Sequence, residues 1–232
     1  MAKTAGIDQA ALIDMFSQAS AKQSEALRSA VSTATLRALQ GRELTLANMR
    51  SVLKTVTQAT SAGAAQNTGS GVDVEVLLGS AFSGMDSAMQ QAVEANRRAL
   101  QQFVDQGMGL QEGRLKTALA EIEKMEDTLF ATVGKAVQGA GAPLQGPWTK
   151  VLESMKMQGT DTGSQANAAV EQLMSQAQGA LRETRAMSLR AGQALMDSYA
   201  ALVSGVLIGM SEALQQGSTE PPEARAAAKT KR

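Results

Sequence analysis

VEVLLGSAFSGMDSAMQQAVEANRRALQQFV, residues 74–104, decides how the rest of this chain is read. It contains no proline, and apolar or small residues recur at Leu78, Phe82, Met85, Met89, Ala92, Ala99 and Phe103. The steps alternate between four and three residues once Asn96 fills the one polar slot. That spacing keeps one face of an α-helix apolar over many turns. Phe82, Met89, Asn96 and Phe103 take the a positions of a heptad, and Leu78, Met85, Ala92 and Ala99 take d. At 1.5 Å per residue the helix runs roughly 45 Å, longer than most globular helices. Ala81, Ala88, Val93, Ala95 and Leu100 flank the seam, so the face is wider than a dimeric coiled coil requires. Such a face suits a multi-helix bundle or adsorption on a hydrophobic surface. Ala, Gln, Leu, Met and Arg favour the helix, whereas Gly79 and Gly84 each oppose it by up to about 1 kcal/mol. A buried Asn in a seam can set register or helix number, which makes Asn96 a register-setting candidate. The plainer reading rotates the face slightly and leaves Asn96 at a wet edge.

Composition narrows the chemistry. The chain has 232 residues, with 22 basic and 22 acidic side chains, so it lacks the basic excess of a general nucleic-acid binder. Aromatic residues make up 3%, and the apolar material is mostly Ala, Leu, Val and 13 Met, a broad and adaptable surface rather than a rigid pocket. There is no Cys and no His. Disulfides, zinc sites built on those residues, thiol nucleophiles and Ser-His-Asp triads are therefore excluded. No cofactor or metal site is expected, and no enzyme activity. Asp8 and Asp14 interrupt any apolar signal-peptide core near the start, so the cytoplasm is the expected compartment.

Outward from the central stretch, the first helical pattern runs from about Ile7 to Leu39, with Leu12, Phe16, Ala19, Ala26, Ala30, Ala34 and Ala38 near heptad spacing. Thr45 is placed as an N-cap for a second helix carrying Leu46, Met49, Val52, Leu53 and Val56, ending near Thr60. SAGAAQNTGSG, residues 61–71, reads as a flexible linker. Beyond the central helix, Gly107, Gly109 and Gly113 turn the chain into a fourth helix using Leu115, Leu119, Ile122, Met125, Leu129, Val133 and Val137. The two predict a stable antiparallel αα-hairpin. Pro147 suits the first turn of a short helix, and Trp148 either anchors at an apolar–water boundary or closes one end of the bundle. A last long helix is predicted from Ser164, as N-cap, to about Gln216, with Leu195, Leu202, Val206 and Met210 on its apolar stripe. The tail from 217 to 232 ends basic and reads as disordered.

The predicted architecture is all-α: long amphipathic helices in an elongated bundle around a central antiparallel αα-hairpin. Its units are a helical pair over 1–60, a linker over 61–71, the hairpin over 72–140, a Trp-containing helix with the long C-terminal helix over 141–216, and the tail. Gly205 and Gly209 have the GxxxG spacing of close-packed membrane helices. The surrounding apolar run is only about twelve residues against the roughly 20 of a span, so no transmembrane span is expected. Glu121, Glu123, Glu126 and Asp127 read as a solvated charged face.

The opening DQAALIDMFSQASAKQSEAL, the long Ala/Gln/Met-rich amphipathic helices, the absence of Cys and the PEARAAAK tail together resemble the phasins. Phasins coat polyhydroxyalkanoate storage granules in bacteria. The stretch from Gly84-Met85-Asp86 through Glu94-Ala95 to Ala99-Leu100 is also similar to an uncharacterised bacterial all-helical family. The phasin resemblance implies a non-enzymatic coat or scaffold on a hydrophobic surface such as a storage granule or lipid. The resemblance carries over no single functional residue. Read from the apolar faces of this chain, the interaction face would comprise Leu78, Phe82, Met85, Met89, Ala92, Phe103, Leu195, Leu202, Val206 and Met210, with Trp148 as a candidate surface anchor. The alternative is a soluble homo-oligomeric coiled-coil or bundle module that binds a protein partner. Either way self-association is expected, and specific nucleic-acid binding is not.

Overall fold

The computed structural model describes residues 10–11, 13–14, 17, 24–40, 43–66, 73–105, 113–183, 203 and 206–208. In chain order its helices are α1 (Ser24–Leu39), α2 (Leu46–Ala65), α3 (Val74–Asp105), α4 (Gly113–Glu123), α5 (Met125–Val137), α6 (Ala142–Gln158) and α7 (Asp161–Glu183). Val203 and Val206–Ile208 are also helical. Among the described residues there is no strand, so the all-α expectation holds.

Helix α3 forms over the predicted stretch because its heptad spacing is sustained throughout, with Asn96 as the one polar member of the seam. Its 32 residues extend about 48 Å. It touches every other helix of the set, most extensively α1 and α7. Among the described residues one apolar core runs through these seven helices and takes in Val203 and Leu207. The predicted hairpin is therefore not the principal unit: α3 packs far more on α1 and α7 than on α4 or α5, and α5 packs mainly on α2.

Several boundaries move for physical reasons. Thr45 does cap α2, its hydroxyl accepting the Asn48 amide at 3.3 Å. That helix continues past Thr60 to Ala65, so Ser61 to Ala65, read as linker, are helical instead, with Ser61, Gly63 and Ala64 buried. The predicted fourth helix divides at Lys124, whose amide bonds the Glu121 carbonyl three residues back. The apolar steps there, Leu119 to Ile122 to Met125, are three and three, too short for a straight α-helix. One tighter turn keeps all three buried. Helix α6 begins at Ala142 with Pro143 in its first turn, and Pro147 lies inside it, where the missing N–H forgoes a bond to the Pro143 carbonyl. The buried face of α1 is Leu27, Val31, Ala34 and Leu39, while Ala26 is exposed. Branched side chains bury more apolar area than alanine and decide which way the helix turns.

Candidate functional site

The residues expected to form an interaction face on α3 line the core. Leu78, Phe82, Met85, Met89 and Ala92 have no exposed surface, and Phe103 is 1% exposed. Of the C-terminal members, Val206 packs partly buried against this core, whereas Leu195, Leu202 and Met210 lie outside the described residues. In the closed bundle the described members of this face are covered or partly covered by other helices.

Asn96 is buried rather than at a wet edge, and its Nδ2 donates to the Ala92 carbonyl at 3.1 Å. A polar group placed among apolar neighbours must find a bond, and the previous turn of its own helix supplies one. Trp148 is not a surface anchor: it is fully buried, and its indole N–H donates to Ser61 Oγ at 3.0 Å. Ser61 in turn donates to the Thr57 carbonyl at 2.8 Å. The extra turn of α2 is what brings Ser61 to the indole. Phe82 meets Phe130 of α5 with ring centroids 5.4 Å apart, within the range of favourable aromatic contact.

The two long seams of α3 differ in chemistry. Toward α7 the seam is polar. Asp86, nearly buried, accepts the Asp161 amide at 2.9 Å through Oδ2 and the Thr162 amide at 3.0 Å through Oδ1. A carboxylate at the positive end of a helix is favourable, and here it comes from another helix. The Thr162 hydroxyl donates back to the Asp86 carbonyl at 3.0 Å. Thr160, not Ser164, is the N-cap: its hydroxyl accepts the Gly163 amide at 2.9 Å and donates to the Glu126 carboxylate of α5. Glu126 thus leaves the charged surface assigned to it. At Gly163 any Cβ would run into that carboxylate.

Two turns further along α3, Glu94 takes Arg97 in a two-point pair, Nε to Oε2 and Nη2 to Oε1, both 2.8 Å. Arg98 Nε reaches Oε1 at 2.6 Å, and Gln165 of α7 donates to Oε2 at 2.9 Å. The Arg97 guanidinium beside it holds the Glu94 carboxyl at about 2, against an ordinary 4.5, with burial opposing and Arg98 assisting. Arg97 also spans to Gln172 of α7 at 3.2 Å. Glu121 shows the opposite direction, pushed up by burial with Lys124 countering.

Toward α1 the seam is apolar and close. Gly84 sits against the α1 backbone, where an added Cβ would collide with the Arg28 carbonyl and stand 3.0 Å from Val31 Cβ. Among the described residues no side-chain hydrogen bond or ion pair joins α1 to another helix. Thr35 bonds its own Val31 carbonyl, and Arg28 reaches Glu25 on the same helix at 4.0 Å.

No three acidic side chains among the described residues converge as metal ligands would. No helix among them is long and apolar enough to cross a membrane. The profile of a family of unknown function (DUF6781) matches residues 2–216. The chain belongs to that family. No curated protein and no solved structure matches it. The DUF6781 match takes in α3, both of its seams and the Trp148 contact.

Sequence reasoning overlooked Asp86, Glu94 and Thr160. The available signal was a pair of carboxylates eight residues apart on one edge of an apolar seam, Asp86 and Glu94. Two such residues beside a buried face imply a partner helix with amides or cations to offer.

Proposed function

We propose that this protein is a non-enzymatic helical coat or scaffold that opens on a hydrophobic surface, phasin-like, with a bacterial polyhydroxyalkanoate granule as its target. The observation that supports this reading is the unequal pair of seams on α3. The α7 side is held by Asp86 and Glu94, while among the described residues no side-chain hydrogen bond or ion pair joins α1 to α3. Among the described residues, lifting α1 breaks no side-chain hydrogen bond to another helix. It uncovers Leu27, Val31, Leu36 and Leu39 together with the α3 face beneath them. Those four side chains represent about 6–12 kcal/mol of burial, which is recovered where they meet an apolar surface instead of α3.

The test is co-sedimentation with polyhydroxybutyrate particles and with neutral liposomes, at low and high salt. The expected result is salt-resistant binding that increases in Gly84→Ala, where the α1 seam is forced apart. Binding lost in salt would assign the attraction to the basic tail residues Arg225, Lys229, Lys231 and Arg232 and sink the apolar mechanism. No binding at either salt would return the chain to the class of soluble helical modules that bind a protein partner.

A further inference from the structure

Helices α2 and α5 leave an open cleft of about 460 Å³ between them, within the size range of small-molecule sites. Three cations line it: Arg50 and Lys54 from α2, and Lys135 from α5. Arg50 and Lys54 occupy successive turns of α2, and among the described residues none of the three cations pairs with a carboxylate. Arg97, Arg98 and Lys150 by contrast all hold glutamates. Helix α2 contains no acidic residue at all, and the acidic pair of α5, Glu126 and Asp127, lies in its first turn outside the lining. The floor carries Thr132, 8% exposed, whose hydroxyl makes no hydrogen bond to another described residue. Three like charges facing one concavity repel each other, and the Thr132 hydroxyl, within reach of solvent in the open cleft, is a donor available to an anion there.

A second cavity of about 270 Å³ adjoins the first, sharing Gln58, Ala136 and Gly139. Its walls are mostly apolar, with Ala62, Ala65, Pro143 and Leu144. The charged cleft and the apolar annex form one amphiphilic groove.

We propose that this groove binds a phosphate ester. Its phosphate lies among Arg50, Lys54 and Lys135 and accepts the Thr132 hydroxyl, and its less polar remainder extends past Gln58 into the annex. Three cations match a group carrying close to two negative charges better than a single carboxylate, and Arg50 adds a two-point donor fork. The ester is either a soluble metabolite or the headgroup of an anionic phospholipid, because both present the same chemistry to these side chains. The site is independent of the α1 seam and stands whether or not the bundle opens.

The experiment has two arms on the full chain. Inorganic pyrophosphate is titrated into ¹⁵N-labelled protein, and flotation is measured with phosphatidylcholine vesicles with and without phosphatidic acid. Pyrophosphate is expected to shift amides over residues 50–58 and 131–139. The double variant Lys54→Gln/Lys135→Gln weakens that binding by roughly tenfold or more, while Lys150→Gln, whose ammonium already pairs with Glu75, leaves it unchanged. Flotation that needs phosphatidic acid and fails in the double variant, without a pyrophosphate response, supports the headgroup source. The proposal is overturned if neither probe binds, or if binding survives neutralisation of the two lysines; the intact basic tail would then be the attracting element.

Discussion

Replacing Gly84 by alanine sets two ordinary effects against each other on one residue. Alanine gains up to about 1 kcal/mol in helix propensity over glycine. At Gly84, however, the new Cβ collides with the Arg28 carbonyl and lies 3.2 Å from the Ser32 amide nitrogen, and both are backbone atoms that cannot swing aside. Overpacking of this kind costs about 1–3 kcal/mol. Set against the full propensity gain, the net expectation is a loss of up to about 2 kcal/mol. Gly79, five residues earlier on the same helix, has nothing within 4 Å of an added Cβ. Gly79→Ala therefore keeps the propensity gain and stabilises by up to about 1 kcal/mol. For a chain of this size 1 kcal/mol moves the melting midpoint by about 2–4 °C, so the two variants should separate in opposite directions from the parent. Urea unfolding followed by circular dichroism and by the single tryptophan measures both. Equal stabilities for the two variants, or a Gly84→Ala more stable than the parent, would refute the close approach of α1 to α3.

Three further expectations concern the polar contacts. Glu94 has a folded pKa of about 2 against an ordinary 4.5, so the charged carboxylate is the form favoured by folding. Its contribution is complete above about pH 4.5 and is lost as pH falls from there toward 2; Glu94→Gln should flatten that part of an acid-unfolding curve and cost about 1 kcal/mol at neutral pH. Asp86→Ala leaves the Asp161 and Thr162 amides without their acceptor and should cost about 1–2 kcal/mol, with faster hydrogen exchange at those two amides and partial recovery in Asp86→Asn. Trp148→Phe keeps most of the buried ring but leaves Ser61 without its donor, at about 1–2 kcal/mol, and the parent's emission should be blue-shifted until the chain unfolds.

What the sequence disclosed follows from which interactions are local. The α3 seam from Leu78 to Phe103 was legible because helical spacing is a property of neighbours along the chain. Thr45 was legible because an N-cap lies three residues from the amide it accepts. Ser164 was a reasonable cap by the same rule. Thr160 replaced it because Asp86 and Glu126, distant in sequence, fix where α7 starts. Trp148 was ambiguous for a similar reason: its fate depends on Ser61, 87 residues away and assigned to a linker. The cleft between α2 and α5 was invisible because Arg50, Lys54 and Lys135 are unremarkable on their own helices. They become a group only when the two helices pack together.

The carboxylate of Asp86 closes the end of a helix that begins 75 residues later. Starting a helix is the unfavourable step, and here the acceptor for its first amides belongs to an element made earlier. During synthesis α3 emerges complete well before Asp161 is added. The start of α7 then draws on a docked α3 as well as on its own cap, Thr160, and that dependence gives assembly a direction. The central helix offers a template on which α7 is laid down from Asp161.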